Sequence, residues 1–138
     1  MCIMKRLWII LVFVLVAGCQ SKPESLPLRP LSLSEVYPGD ILQVDKVILA
    51  DGSTGARRVI EDRQQIAEWI TRIKDIKLTP DQNQEDRTGF MFGISLYEGE
   101  EKKLGFIPNL IQGVYYKPNS EFEGYIRAFF EKYFDRRF

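Results

Sequence analysis

The chain has 138 residues, 19 Lys and Arg against 19 Asp and Glu, two cysteines and no histidine. That length fits one domain, and the balanced charge gives no strong field to draw in nucleic acid. Without histidine the commonest general base and metal ligand is missing, and with it every His-based triad and Cys/His zinc site.

In chain order, Lys5 and Arg6 precede an unbroken apolar run from Leu7 to Val16, followed by the small residues Ala17 and Gly18. Charge, apolar core and small residues in that order make a secretory signal peptide, residues 1–18. A membrane-spanning helix needs roughly 20 apolar residues, more than this run supplies.

The stretch Leu15-Val16-Ala17-Gly18-Cys19 resembles the lipobox of bacterial lipoproteins at every position. The resemblance implies cleavage between Gly18 and Cys19 and a diacylglycerol on the Cys19 thiol. It also implies a mature chain held at the outer, extracytoplasmic face of the cell membrane. Two acyl chains suffice for stable anchoring where one gives only marginal binding. Cys2 would leave with the signal, so no thiol remains for an internal disulfide and the domain must be held by its core.

Residues 19–33 hold Pro23, Pro27 and Pro30 among serines, and read as an extended tether. The single folded domain is expected over 34–138. Pro38-Gly39-Asp40 is a turn, and Ile41 to Ala50 reads as a strand. The glycine-bearing turn Asp51 to Gly55 leads to a second strand, Ala56 to Ile60, and together these make a hairpin. Asp62 starts a helix whose Ile66, Trp69, Ile70 and Ile73 share one face, and Pro80 lies beyond its end.

Thr88 to Tyr97 alternates, which puts Phe90, Phe92, Ile94 and Leu96 on one face of a strand. Further strands are expected at Lys103 to Ile107 and Val114 to Lys117. Ser120, with Glu123 three residues on, opens a last helix. Its stripe of Phe122, Tyr125, Ile126, Phe129, Phe130 and Tyr133 reads as core.

The order β-β-α-β-β-β-α predicts an α+β fold, an antiparallel sheet of about five strands with two amphipathic helices on one face. That order, with the hairpin DGSTG, is loosely similar to small lipoproteins of Gram-positive bacteria. The similarity implies no activity.

Candidate partner-binding residues are few. Arg57 and Arg58 suit an acidic group, although strand alternation sends them to opposite faces. Tyr115 and Tyr116 also point oppositely, so one is expected to be exposed, and an exposed tyrosine can anchor a partner. Asp81, Asn83 and Glu85 occupy alternate positions as in a calcium loop. The sixth position, however, holds Asp86 instead of Gly, and the twelfth holds Phe92 instead of Glu, so the segment reads as a solvated loop.

No metal or other cofactor is expected. The reading is a non-catalytic binding or assembly module at the cell surface, attached to the membrane through Cys19 and meeting a protein or cell-envelope partner. The alternatives are a carboxylate-dependent cell-wall hydrolase and an inhibitor or sensor lipoprotein.

Overall fold

Alternation along the strands and a 3.6-residue period along the helices give every long element one apolar side, and the architecture follows from burying those sides together. The computed structural model describes residues 28–138. The signal segment, the lipobox with Gly18 and Cys19, and most of the tether lie outside the described residues.

Six strands form one open antiparallel sheet: β1 (Lys46–Asp51), β2 (Arg57–Ile60), β3 (Phe92–Glu98), β4 (Glu101–Ile107), β5 (Leu110–Ile111) and β6 (Val114–Tyr115). Three helices accompany it: α1 (Leu33–Val36), α2 (Arg63–Ile73) and α3 (Ser120–Phe134). The strand order is β2-β1-β3-β4-β5-β6, so α2 carries the chain from the edge strand β2 past β1 to β3.

The α+β class is as expected, and the details differ for local reasons. Ile41 to Gln43 winds into a 3-10 turn because the Asp40 carboxylate accepts the Leu42 N–H, so β1 starts at Lys46. Gln112 and Gly113 both take positive φ and fold β5 against β6, a two-residue hairpin too short for a periodic signal. The cap of α3 is Asn119, whose side chain accepts the Phe122 N–H, and Ser120 is the first helical residue.

The folded part also takes in residues that read as tether. Leu31 and Leu33 are buried, and Leu31 exchanges two backbone hydrogen bonds with Leu78. Glu35 fastens this segment to the far end of α2. Its carboxylate accepts from Lys77 and from the Ser32 N–H, which hold its pKa at about 2 against an ordinary 4.5.

The core lies on one face of the sheet. Val47, Leu49, Ile60, Phe92, Ile94, Leu96, Leu104 and Phe106 point to it and are buried. From α2 come Ile66, Trp69, Ile70 and Ile73, and from α3 Phe122, Ile126, Phe129, Phe130 and Phe134. Trp69 and Phe129 stack with ring centroids 4.1 Å apart, and Trp69 Nε1–H donates to the Tyr125 carbonyl at 3.2 Å. Phe130 meets Phe92 edge-on at 4.8 Å and stacks on Phe134 at 5.6 Å.

After α3, Asp135 turns the chain with φ of 51°, and Phe138 returns over Phe92, Phe130 and Phe134. Arg136 reaches the carboxylate of Asp51, which is 1% exposed. That carboxylate also accepts from Ser53 N–H, Ser53 Oγ–H and Thr54 Oγ1–H. With the Ser53 bonds foremost, its pKa lies well below the usual carboxylate range.

Phe90 departs from the expected pattern. The strand begins only at Phe92, and Phe90 is half exposed and packs on the opposite side of the sheet.

Because Phe130 is fully buried among other rings, Phe130→Ala should cost about 3 to 5 kcal/mol. Urea denaturation should show a lower midpoint at an unchanged slope. An unchanged midpoint would mean that α3 does not pack on the sheet.

Candidate functional site: the uncovered face of the sheet

The residues that alternate with the core set define a second face. Ile48 and Ala50 of β1 pair laterally with Val59 and Arg57 of β2 and with Ser95 and Gly93 of β3, and Ser95 pairs with Gly105 of β4. No described helix covers this side, and Val59 is 57% exposed. Its centre is a floor of small residues, Ala50, Gly93, Ser95 and Gly105, above which lies a groove of ≈ 580 Å³.

Three cations and an aromatic ring rim this groove, each for a traceable reason. Arg57 is there by strand alternation alone, opposite Ala50.

Lys102 is there because of a bulge. Leu96 pairs with Leu104, but Tyr97 pairs with Lys102, so one residue is skipped and Lys102 turns to the uncovered face. Its stem then lies over Gly105, with Cε and Nζ both 2.8 Å from where a Cβ on that glycine would sit.

Arg87 comes from the long loop between α2 and β3. Asx turns shape this loop: Asp81 accepts the Asn83 N–H and Asn83 accepts the Glu85 N–H, each at 3.0 Å. The Gln84 side chain lies along β6 like another strand, accepting the Tyr115 N–H at 2.9 Å and donating to the Tyr115 carbonyl at 2.9 Å. The Tyr115 hydroxyl accepts the Arg87 N–H at 2.8 Å and donates to the Arg87 carbonyl at 3.3 Å. The Arg87 guanidinium sits 4.5 Å over the Tyr115 ring, donating to Asp81 at 3.1 Å and to the Asn83 carbonyl at 2.8 Å. The Asn83 N–H, with Arg87, keeps the Asp81 pKa below its ordinary value.

Phe90 completes the rim. Its ring edge is 3.0 Å from where a Cβ on Gly93 would sit, and a Cβ on Gly52 would overlap its carbonyl oxygen. Both glycines therefore make room for the 90–91 segment as it crosses the sheet end, where the Gly52 N–H donates to the Met91 carbonyl at 2.9 Å.

Of the candidates named from the sequence, only Arg57 lines the groove. Arg58 lies on the core side, over the Phe134 ring at 4.6 Å and donating to the Tyr133 carbonyl at 3.3 Å, where it closes the end of α3. Neither tyrosine is an exposed anchor. Tyr115 is 5% exposed because its hydroxyl fastens the loop, and Tyr116 is fully buried, its hydroxyl without a partner among the described residues. The expectation of an exposed tyrosine is thereby corrected.

The residues 81–87 bind one another and β6, and no cluster of three metal-ligating side chains occurs among the described residues. No helix of the described residues is long and apolar enough to cross a membrane.

No Asp or Glu lines the groove. A smaller cleft at the far end of β1 has Asp45, Glu61 and Glu100 in its lining. There Glu61 and Glu100 are exposed, and Asp45 accepts the Gly99 N–H at 2.8 Å. A glycosidase acid is a carboxyl kept protonated by an apolar pocket, a setting the two exposed glutamates lack. Comparison with protein families, with curated proteins and with solved structures finds no match to this chain.

Two glycine substitutions test how the rim is built. Gly52→Ala forces backbone against backbone and should lower stability by well over about 1 kcal/mol. Gly105→Ala meets only the flexible end of Lys102 and should cost less than about 1 kcal/mol while displacing that side chain. Urea midpoints of the two variants check this, and equal losses would contradict it.

Proposed function

We propose that this chain is an exported lipoprotein whose folded domain is a non-catalytic binding module, with the uncovered face of the sheet as its binding surface. The observation that carries the reading is the groove itself. A small-molecule site of roughly 300 to 1,000 Å³, apolar with a few convergent polar groups, is the usual form of a binding pocket. This groove has ≈ 580 Å³, apolar walls and three cations.

Its sidedness supports the same reading. An antiparallel sheet tolerates one solvated face, and such a face is ordinarily covered with polar side chains. Here the floor is Ala50, Gly93, Ser95 and Gly105, which leaves the backbone approachable.

The anchor rests on the sequence. The signal-like order of residues 1–18 and the fit of Leu15 to Cys19 to a lipobox support acylation of Cys19 and a place on the outer face of the cell membrane. The folded part starts by Leu31, so only about ten residues would separate the lipid from the domain, a reach of roughly 30 Å if extended. The binding surface would work close to the bilayer.

Expressed in a bacterium with lipoprotein processing and fed labelled palmitate, the wild-type chain should take up label and shorten. Cys19→Ala should do neither. Continued labelling of Cys19→Ala would refute the anchor.

A further inference from the structure

We propose that the groove binds a small organic anion, a carboxylate or phosphate joined to an apolar body of one or two rings. The inference rests on the groove being the binding surface and adds the chemical class of its occupant.

Charge is the first argument. The chain carries as many acidic as basic side chains, yet the groove lining has Arg57, Arg87 and Lys102 and no carboxylate. Arg57 and Lys102 form no ion pair among the described residues. Arg87 is paired, but its geometry is set in advance. Asp81 and the Asn83 carbonyl both take one guanidinium nitrogen, and the Tyr115 ring lies beneath the plane. A guanidinium has five N–H donors, so some remain for a ligand. Guanidinium and ammonium groups lining one space suit a carboxylate or phosphate, which accepts charge-assisted hydrogen bonds from either.

The walls give the second argument. Phe90, Ile107 and Leu110 line the same groove, and the half-exposed Phe90 offers a ring face or edge beside the cations. An inorganic ion would leave these walls in water, whereas an apolar body on the anion would cover them. The volume of ≈ 580 Å³ lies within the roughly 300 to 1,000 Å³ of small-molecule pockets, which fits a free solute as the occupant.

The test uses the full chain in nanodiscs of neutral phosphatidylcholine and equilibrium dialysis against 2-naphthoate, 2-naphthyl phosphate and the uncharged 2-naphthamide, with empty discs as blank. Both anions should bind at least about tenfold more tightly than the amide. Arg57→Gln and Lys102→Gln should each weaken anion binding about tenfold and leave the amide unchanged. Both side chains are exposed, so the unfolding midpoint of either variant should match wild type. Lys102→Arg should keep the anion affinity, and Phe90→Ala should weaken all three probes.

An amide that binds as tightly as naphthoate would overturn the anion assignment and leave the groove as the binding surface. Failure of all three probes to bind would overturn both. Displacement of naphthoate by phosphatidylglycerol in the disc would assign the groove to lipid headgroups and overturn the free solute. Self-association that Arg57→Gln abolishes would assign it to a second copy of the chain.

Discussion

Both long helices carry an apolar stripe, and both bury it on the same face of one sheet. Neither α2 nor α3 is long enough to be stable alone, so each is held by what it covers. Trp69 of α2 stacks on Phe129 of α3, and Phe130 sits on Phe92 of the central strand β3. With both stripes committed to that face, nothing among the described elements remains to cover the other. The groove is thus a consequence of where the core was built, and its shape depends on the core keeping β1, β3 and β4 in register.

Three devices convert that bare face into a charged groove. The bulge at Leu96 and Tyr97 turns Lys102 over. The Tyr115 hydroxyl, on a side chain only 5% exposed, holds both backbone groups of Arg87. The missing side chains of Gly52 and Gly93 admit Phe90. Each relies on a backbone irregularity, a buried hydroxyl or an absent side chain, and a rigid site is supported by such neighbours. The C-terminal turn adds a fourth constraint, since Arg136 meets the Asp51 carboxylate at the end of β1 and Phe138 closes the core beside it.

Most of the scaffold was legible in the sequence because it rests on periodicity. The α2 residues Ile66, Trp69, Ile70 and Ile73 and the α3 residues Phe122, Ile126, Phe129 and Phe130 are buried as their spacing requires, while Tyr125 and Tyr133 of the expected stripe are only partly buried. Alternation from Phe92 to Leu96 likewise holds. It misleads at Phe90, because the pattern continues past the strand end while the backbone does not. The site was hardly legible at all. Arg57 could be found from alternation, but a bulge reverses the parity that would place Lys102, and no spacing rule announces one. Arg87 lies in a polar loop whose order comes from hydrogen bonds to a tyrosine 28 residues later in the chain. Tyr115 and Tyr116 read as surface candidates because aromatic pairs on a short strand carry no sign of which loop will close over them.

The central claim is that one face of the sheet is packed and the other is open. Neighbouring residues of β3 separate the two faces, since Ser95 points to the groove and Leu96 to the core. Full chains carrying Ser95→Cys or Leu96→Cys, with Cys2 and Cys19 replaced by serine, can be kept in mild detergent and treated with a small methanethiosulfonate reagent. The account predicts rapid modification at 95 and protection at 96 until urea unfolds the chain. Equal rates at both positions, or protection at 95, would contradict it.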